Sequence, residues 1–336
     1  MDVFKLALKI RARAWNEIVK LTSNIAFYPA LYRSYWHMRI NNSEKHIVDN
    51  HTNFYTGIPN PGAGIGHQLS NWISGYWWAM QFNLKYAHTT FSTEKWETFF
   101  GFGENETLAS DLISHNGYRR VLLPLFDENK QAAINLNKKI ISSYAGQKVV
   151  FVAEQDQSYQ SLCGVIEDLR LKFFSAAARK CETLIFSESH FNIAIQIRRG
   201  DITIGQTNQD PNLQMRWQDN LYFKKLLTEV IENIKPGKPL AIYLFSQGTP
   251  SDFIEFIDLE NINFCLDMDA QQSFLHMVFA DLLITSKSSF SYKPALLNKG
   301  IKVCPRNFWH NYPNSNDWVL VDDDGNFDVK QLSITL

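Results

Sequence analysis

The sequence lacks several features by which other classes of protein are recognised. It has no uncharged apolar run of roughly 18 residues, so a membrane-spanning helix is not expected. Its 33 Lys and Arg residues are balanced by 34 Asp and Glu residues, for a formal net charge of −1, and this balance argues against a nucleic-acid-binding protein. Internal repeats and low-complexity tracts are also missing, which excludes solenoids.

Cysteine is scarce, and motifs that bind zinc are absent. Four widely spaced cysteines form no C-x-x-C pair, and we expect no cleavable signal peptide before them: Cys163, Cys181, Cys265 and Cys304. We interpret them as buried thiols of a protein in the reducing cytosol. The nine histidines are scattered and include no H-E-x-x-H motif, so a zinc site has no support. We therefore expect a cytoplasmic protein without a metal cofactor.

Apolar and aromatic residues are abundant. The 336 residues are 45% hydrophobic and include 24 Phe, 13 Tyr and 9 Trp, enough for two lobes that each have a core. Short β-branched runs predict strands at 148–153, 192–197, 240–245, 281–285 and 301–304. Helices are predicted between them at 68–82, 168–187, 221–234 and 271–279. This alternation predicts an α/β protein with parallel, doubly wound sheets.

A domain boundary is expected near residues 187–191, where a long helix gives way to a new series of strands. We therefore predict an N-terminal acceptor-side lobe at 47–188 and a C-terminal nucleotide-binding lobe at 189–336. The segment 1–46 precedes them, with eight basic and three acidic residues and apolar residues at helical spacing. Two interpretations of this segment stay open. It is either a basic helix on the cytoplasmic face of a membrane, with contact through residues 1–40, or a helix packed on its own lobe.

The first motif of interest follows the predicted strand at 192–197. Adjacent Arg198 and Arg199 point to opposite sides, so one can bind a phosphate while the other pairs with a carboxylate such as Asp201. Gly200 permits a sharp turn beside a ligand. The alternative is an ordinary surface salt bridge at the end of a strand.

The second motif is a serine-rich turn at 286–291, before a predicted helix at 292–297. Ser288 and Ser289 would add hydroxyl groups to the amides of a helix N-terminus, which binds anions. The alternative is that a serine here is only an N-cap.

The third motif is rich in glycine and spans residues 62–72. A dinucleotide-binding fingerprint would need glycine where the chain has His67, so an NAD site is disfavoured. Gly64 and Gly66 nevertheless allow the backbone to approach a ligand closely, and Gln68 and Asn71 lie on one face of the following helix. The alternative is a loop that serves only a tight turn. Because ligands bind beyond the carboxyl ends of parallel strands, the polar turns after three strands are expected to converge on one crevice.

In this order and at these distances, the three blocks resemble those of the fucosyltransferases that share an H-x-R-R-G-D motif. The resemblance is strongest to the bacterial α-1,2 group (glycosyltransferase family 11-like) and covers roughly residues 55–310. The matching blocks are Gly64–Leu69, Arg198–Asp201 and Ser286–Ser291. It implies a GT-B fold of two Rossmann-like lobes with an interlobe cleft, an inverting reaction, GDP-L-fucose as donor and no metal. The implied acceptor is a glycan, such as a lipid-linked oligosaccharide or surface-polysaccharide precursor.

The resemblance also implies roles for single residues. Arg198 or Arg199 would hold the β-phosphate in place of a metal, and Asp201 would be the nearest motif carboxylate for a general base, with Asp210 and Asp219 as further candidates. The residues expected to contact the donor are Gly64, Gly66, His67, Gln68, Asn71, Gln196, Ser246, Gln247, Ser288, Ser289 and Phe290.

The chain departs from the family pattern at two places. Gln196 stands where the family has His, and Ser246-Gln247-Gly248 replaces Ser-Asp-Asp, which removes a carboxylate suited to guanine. A different nucleotide-sugar donor therefore stays open, as does a non-catalytic glycan- or nucleotide-binding protein. Asp267-Met268-Asp269 matches a D-x-D metal motif, but its place before a helix favours a capping role.

Overall fold

The computed structural model describes residues 53–124, 126–153, 162–203, 210–309 and 311–334, together with positions 10, 14, 17, 18, 21, 22 and 24–29. The first elements are β1 (Phe54–Gly57), α1 (Ile65–Gln81), β2 (Lys85–Tyr86), α2 (Glu94–Phe100), α3 (Ala109–Ser114), β3 (Arg119–Leu122), α4 (Gln131–Ser142) and β4 (Val149–Ala153). The later elements are α5 (Ile166–Ser175), β5 (Phe191–Gln196), α6 (Pro211–Gln214), α7 (Asn220–Asn233), β6 (Leu240–Ser246), β7 (Ile262–Leu266), α8 (Ala270–Phe279), β8 (Leu282–Ile284), α9 (Ser289–Leu297), β9 (Ile301–Pro305), β10 (Trp318–Val321) and α10 (Lys330–Ile334).

The chain forms two compact units, and the first contains the described residues of 53–58, 74–89 and 106–153. Its four strands are parallel, in the order β2-β1-β4-β3. Alternate residues of β4 enter different clusters, because successive side chains of a strand point to opposite faces. Val149 and Phe151 pack in one apolar cluster, while Val150 and Val152 pack in a second. The sheet is therefore covered on both faces, as a parallel sheet requires.

The second unit contains Pro59–Ile73, Thr90–Asn105 and the described residues of 162–334. Its six parallel strands have the order β10-β9-β8-β5-β6-β7. All six residues of the central strand β5 are buried, and Ile193 and Ile195 share a core cluster with Phe223 and Leu227 of α7. Two parallel α/β sheets confirm the fold class of the GT-B transferases. The interlobe cleft and the three expected domains stay predictions, while the compact units themselves are discontinuous in sequence.

The five predicted strands are all present, with ends that shift by at most one residue. The predicted helix 168–187 is wrong over its second half, because α5 ends at Ser175. Ala176 adopts an extended conformation, with φ −57° and ψ 142°, and a 3₁₀ turn follows at Ala177–Lys180. The carboxylate of Glu104 accepts hydrogen bonds from the amide of Ala177 at 3.0 and 3.1 Å. A contact from a distant part of the sequence thus takes a backbone donor that a continuing helix would use.

The expectation of four buried thiols needs one correction. Cys265 and Cys304 are buried, and burial raises their pKa to about 11 and about 12, but Cys181 is exposed after the 3₁₀ turn. All three are free thiols. The side chain of Cys163 and most of the segment 1–46 lie outside the described residues. No helix in the described part of the chain is both long and apolar enough to cross a bilayer.

Candidate functional site

A pocket of about 550 Å³ opens in the second unit where β5 and β6 end. The turns after these strands, the start of α1, the start of α8 and the start of α9 all contribute to its wall. The lining residues are Ala63, Gly64, Ile65, Gly66, His67, Gln196, Ile197, Arg198, Arg199, Asp201, Arg216, Phe245, Ser246, Gln247, Met268, Ala270, Ser273, Ser288, Ser289, Phe290 and Trp309. The three sequence motifs therefore meet at the carboxyl edge of one parallel sheet.

Arg198 faces this pocket from the end of β5. Its Nη2 donates to Asp201 Oδ2 at 2.7 Å, and its Nη1 lies 3.4 Å from Ser288 Oγ. The Arg198 side chain is 20% exposed, whereas that of Asp201 is 59% exposed. The ion pair thus orients a guanidinium group that stands beside the serine turn and reaches solvent in the pocket.

Arg199 makes quite different contacts. Its Nη1 donates to the carbonyl oxygens of Arg198 at 2.7 Å and Gln218 at 3.1 Å, and its Nη2 donates to Asn220 Oδ1. The guanidinium carbon lies 4.4 Å from the centre of the Trp217 ring. Burial lowers the pKa of Arg199 to about 10, with Asp219 acting in the opposite direction, so the group stays charged at neutral pH. The Arg199 guanidinium group therefore packs on an aromatic ring and donates hydrogen bonds to protein acceptors from both terminal nitrogens.

The serine turn is built around the start of α9. Ser288 is the N-cap, and its Oγ accepts a hydrogen bond from the amide of Phe290 at 3.2 Å. Inside the turn, the amide of Ser286 donates to Ser291 Oγ at 3.3 Å. Ser286 Oγ donates to Gln196 Oε1, so this glutamine anchors the turn to β5. The capping alternative is confirmed for Ser288, which also lines the pocket, while anion binding by the turn stays a prediction.

The glycine loop meets the serine turn directly. A Cβ atom on Gly66 would lie 2.8 Å from the backbone carbon and oxygen of Ser289, so this position leaves no room for a side chain. Gly64 and His67 line the pocket as well. The sequence placed this loop in the lobe at 47–188, but Pro59–Ile73 belongs to the second unit. Contacts over more than 200 residues of sequence bring these two turns together.

Gln68 and Asn71 were expected to contact the donor. In the structure their side-chain amides form hydrogen bonds to other protein groups near the glycine loop. Gln68 Nε2 donates to the carbonyl of Ala63 at 2.8 Å and to Ser92 Oγ at 2.9 Å, and Asn71 Oδ1 accepts from the amide of Asn60 at 3.1 Å. Both side chains are buried, and neither is among the described residues that line the pocket. These contacts shape the loop, while a direct contact with a ligand stays a prediction.

The turn after β6 forms another part of the wall. Ser246 Oγ donates to the carbonyl of Ile197 at 2.7 Å, which ties this turn to the end of β5. Gly200 has a φ of +72° and lies against the Gln247 side chain. Phe245, Met268 and Phe290 add apolar surface to the same pocket. The predicted polar residues Ser246 and Gln247 thus border an apolar recess.

Sequence reasoning missed two prominent residues of the pocket. The guanidinium carbon of Arg216 lies 4.5 Å from the centre of the Trp309 ring, and both side chains line the pocket. Arg216 follows the short helix α6, and Trp309 follows β9 in a loop. Neither belongs to a motif, so no sequence pattern indicated that they would line this pocket.

The carboxylates named from the sequence have different surroundings. Asp201 is the sole carboxylate among the described residues that line the pocket. Asp210 and Asp219 are N-caps, which accept from the amides of Asn212 at 2.9 Å and Tyr222 at 2.7 Å.

The contacts of the D-x-D sequence at 267–269 show which role its second aspartate has. Asp269 caps α8 by accepting from the amide of Gln271 at 3.1 Å and pairs with Lys95 at 2.7 Å, so the capping prediction is confirmed. Within the described ranges, no group of three His, Cys, Asp or Glu residues could hold a metal ion.

No protein-family model and no curated protein sequence matches the chain. Among solved structures, POFUT1 in complex with GDP is similar with 10% identity and a TM-score of 0.49, over 76% of this chain and 99% of that one. A mutant of Arabidopsis thaliana FUT1 in complex with GDP has 11% identity and a TM-score of 0.44, over 91% and 79%. The NodZ α-1,6-fucosyltransferase co-crystallised with GDP has 10% identity and a TM-score of 0.40, over 83% and 98%. At these values the likeness leaves the activity and the substrates of this chain open.

Proposed function

We propose that the chain is an inverting, metal-independent glycosyltransferase that moves L-fucose from GDP-fucose to a hydroxyl group of a glycan. The observation that carries the proposal is the position of Arg198 beside Ser288 in one pocket, where a guanidinium group and a helix N-terminus face the same space. The order of the three motif blocks, which resembles that of the fucosyltransferases, supports the choice of sugar and nucleotide.

The leaving group of such a transfer is a nucleoside diphosphate, which gains negative charge as its bond to the sugar breaks. Arg198 can form two parallel hydrogen bonds to phosphate oxygens, as planar guanidinium groups do. The first amides of α9 lie at the positive end of the helix dipole. Arg216, held over Trp309, adds a further cation to the pocket wall. Together these groups supply the electrostatic stabilisation that other transferases obtain from a metal ion.

The roles of the two adjacent arginines differ in this proposal. Arg198 contacts the diphosphate, while the contacts of Arg199 to Gln218 and Asn220 make it a support for the turn. Asp201 orients Arg198 and, as a half-exposed carboxylate at the pocket, is the candidate to accept the proton of the acceptor hydroxyl. One carboxylate oxygen is paired with Arg198, which leaves the second oxygen for that proton.

The apolar recess bounded by Phe245, Met268 and Phe290 is the proposed place for the nucleobase, because flat aromatic bases favour contact with apolar and aromatic side chains. Gln247 and Ser273 stand at the same wall and offer hydrogen-bonding groups to the edge of a base. This arrangement suits guanine without a carboxylate, and it also leaves room for the second candidate, the same reaction with another nucleotide-sugar donor.

We also propose a cytoplasmic protein that approaches a lipid-linked or surface-polysaccharide precursor at a membrane surface. Exposed apolar side chains at helical positions of the N-terminal segment support this proposal: Ile10, Ile18 and Leu21 are 59%, 41% and 82% exposed. The test is sedimentation with anionic phospholipid vesicles. Loss of binding after simultaneous replacement of these three residues by Ser is expected, and binding that is unchanged would contradict the membrane proposal alone.

The function itself is tested by ligand binding and turnover. A thermal-shift panel of GDP, UDP, TDP and CMP should show the largest stabilisation with GDP, and the protein should release GDP from GDP-fucose when a glycan acceptor pool is present. Stabilisation by a different nucleotide would select the second donor candidate. Saturable GDP binding without turnover on any acceptor pool would instead favour a non-catalytic nucleotide- or glycan-binding protein.

A further inference from the structure

We infer that Gln218 is a positioning residue, which holds the serine turn in the place where Ser288 and Arg198 can bind the same phosphate. The inference rests on the proposed function, since it concerns the diphosphate site of that reaction. Gln218 belongs to none of the three sequence motifs and is not itself among the described pocket-lining residues.

The Gln218 side chain reaches the serine turn from a distant part of the chain. Its Oε1 accepts a hydrogen bond from the backbone amide of Lys287 at 2.9 Å, and the residue is only 8% exposed. Lys287 immediately precedes the N-cap Ser288. The bond therefore fixes the backbone at the entrance to α9, the part of the turn that presents amides to an anion.

The backbone of Gln218 is held in turn by the end of β5. Its carbonyl accepts from Arg199 Nη1 at 3.1 Å, and the same nitrogen donates to the carbonyl of Arg198 at 2.7 Å. Arg199 Nη2 binds Asn220, whose Nδ2 donates to the carbonyl of Asp252 at 2.7 Å. A continuous set of hydrogen bonds thus links the backbone of Arg198 through Arg199 and Gln218 to Lys287.

These groups therefore have two different roles at the site. Arg198 and Ser288 stand together at the pocket, while Arg199, which also lines it, and Gln218 connect the two backbones that carry them. A buried amide that loses its acceptor must find another one, so the turn would shift if the Gln218 oxygen were removed. A shift of about 1 Å between two ligands of one phosphate is enough to impair binding and catalysis strongly.

The test compares Gln218→Met, which removes the acceptor oxygen at nearly constant volume, with Gln218→Glu, which keeps an acceptor at the same place. Gln214→Met, on the exposed end of α6, is the matched control. Titration calorimetry measures GDP affinity, steady-state kinetics measures kcat and KM for GDP-fucose, and thermal unfolding without ligand reports stability.

We expect Gln218→Met to weaken GDP binding on the order of tenfold and to raise KM for GDP-fucose, because a charge-assisted contact to phosphate is lost or misaligned. Gln218→Glu should stay within about threefold of the natural protein, since the amide of Lys287 keeps its acceptor. Gln214→Met should leave affinity unchanged. A merely structural role would lower the unfolding midpoint while the folded protein bound GDP as before.

Three results separate the inference from the proposed function. If the natural protein does not bind GDP, both the proposed function and this inference are overturned. If it does and Gln218→Met binds equally well, only the positioning role is wrong. Should Gln218→Met fail to fold, Gln218→Asn, which withdraws the acceptor by one methylene group, decides in its place: unchanged affinity overturns the inference and weakened affinity supports it.

Discussion

Arg198 and Arg199 are adjacent in sequence but make different contacts in the structure. Arg198 lies in the pocket beside Ser288, and Arg199 is packed on Trp217 with its nitrogens bound to protein acceptors. They leave the same strand end, but consecutive side chains of an extended segment point to opposite sides. The Trp217–Asn220 segment covers the side to which Arg199 points, so Arg198 is the guanidinium group that lies beside Ser288.

Replacement of the two arginines should therefore have separable effects. Arg198→Ala is expected to weaken GDP binding by about 10- to 100-fold with little change in the unfolding midpoint, because a hydrogen bond to a charged group contributes about 1.5–3 kcal/mol. Arg199→Ala should lower the unfolding midpoint, since it leaves the carbonyl oxygens of Arg198 and Gln218 without their donor. Calorimetry and thermal unfolding measure both quantities, with Arg119→Ala on the exposed face of β3 as control. Equal stability losses from both variants would contradict the assignment.

Gly66 is a second residue whose size decides the geometry of the site. Gly66→Ala would place a methyl group 2.8 Å from the backbone of Ser289, so the glycine loop and the serine turn must separate. We expect weaker GDP binding in the thermal-shift assay. Gly62→Ala, whose Cβ would meet only an ordinary contact at 3.6 Å, is the matched control. Equal GDP-induced shifts in both variants would show that the two turns need not touch.

At the scale of elements, the N-terminus of α9 combines two functions that different substitutions can separate. Asp is as good an N-cap as Ser, so Ser288→Asp should keep the unfolding midpoint, whereas Ser288→Ala should cost about 1 kcal/mol. The new carboxylate would pair with Arg198 and repel a phosphate, so Ser288→Asp should abolish GDP binding. Thermal unfolding with and without GDP checks both effects. GDP binding that survives in the aspartate variant would rule out the helix start as an anion site.

The start of α8 tests whether a metal takes part. Asn caps helices as well as Asp, so Asp269→Asn should preserve α8 and lose only the exposed ion pair with Lys95. We expect this variant to keep its transfer rate, and we expect EDTA to leave the rate of the natural protein unchanged. A large loss of rate in the variant, restored by Mn²⁺, would instead identify the D-x-D sequence as a metal ligand.

For the whole molecule, a buried histidine links stability to pH. His276 is 1% exposed, its Nε2 accepts from the amide of Ile185 at 2.9 Å, and its Nδ1 donates to the carbonyl of Gln272 at 2.7 Å. Burial lowers the pKa of His276 below its usual value, and the bond to Gln272 acts in the opposite direction. The neutral ring is therefore the form that fits the folded protein.

The sign of the pH effect follows from this lowered pKa. Below about pH 6.5 the unfolded chain takes up a proton at this position before the folded protein does, so stability is full above that pH. Stability should fall as the pH drops from about 6.5 towards the lower pKa that His276 has in the folded protein. Unfolding midpoints measured between about pH 7.5 and 5.5 should show a slope that His276→Gln reduces. An equal slope in the natural protein and the variant would contradict the role of His276.

Particular elements show how far the sequence could predict the fold and the site. β5 and β6 were recognised from their apolar runs, and their carboxyl ends do carry Arg198 and Ser246 to the pocket. The helix at 168–187 was predicted too long because Glu104, some 70 residues away, binds the amide of Ala177. Arg216, Trp309 and Gln218 were missed for the same reason, since only contacts across the second unit bring them to the site.

The sequence by itself determined the alternation of strands and helices, the parallel sheets that this alternation implies and the order of three polar turns, because these follow from local hydrophobic periodicity and from chain order. The tertiary structure alone decided which arginine stands beside Ser288, which unit contains the glycine loop and which side chain anchors the serine turn. The physical reason is that these outcomes depend on what packs against each turn, and the packing partners lie 19 to 223 residues away along the chain.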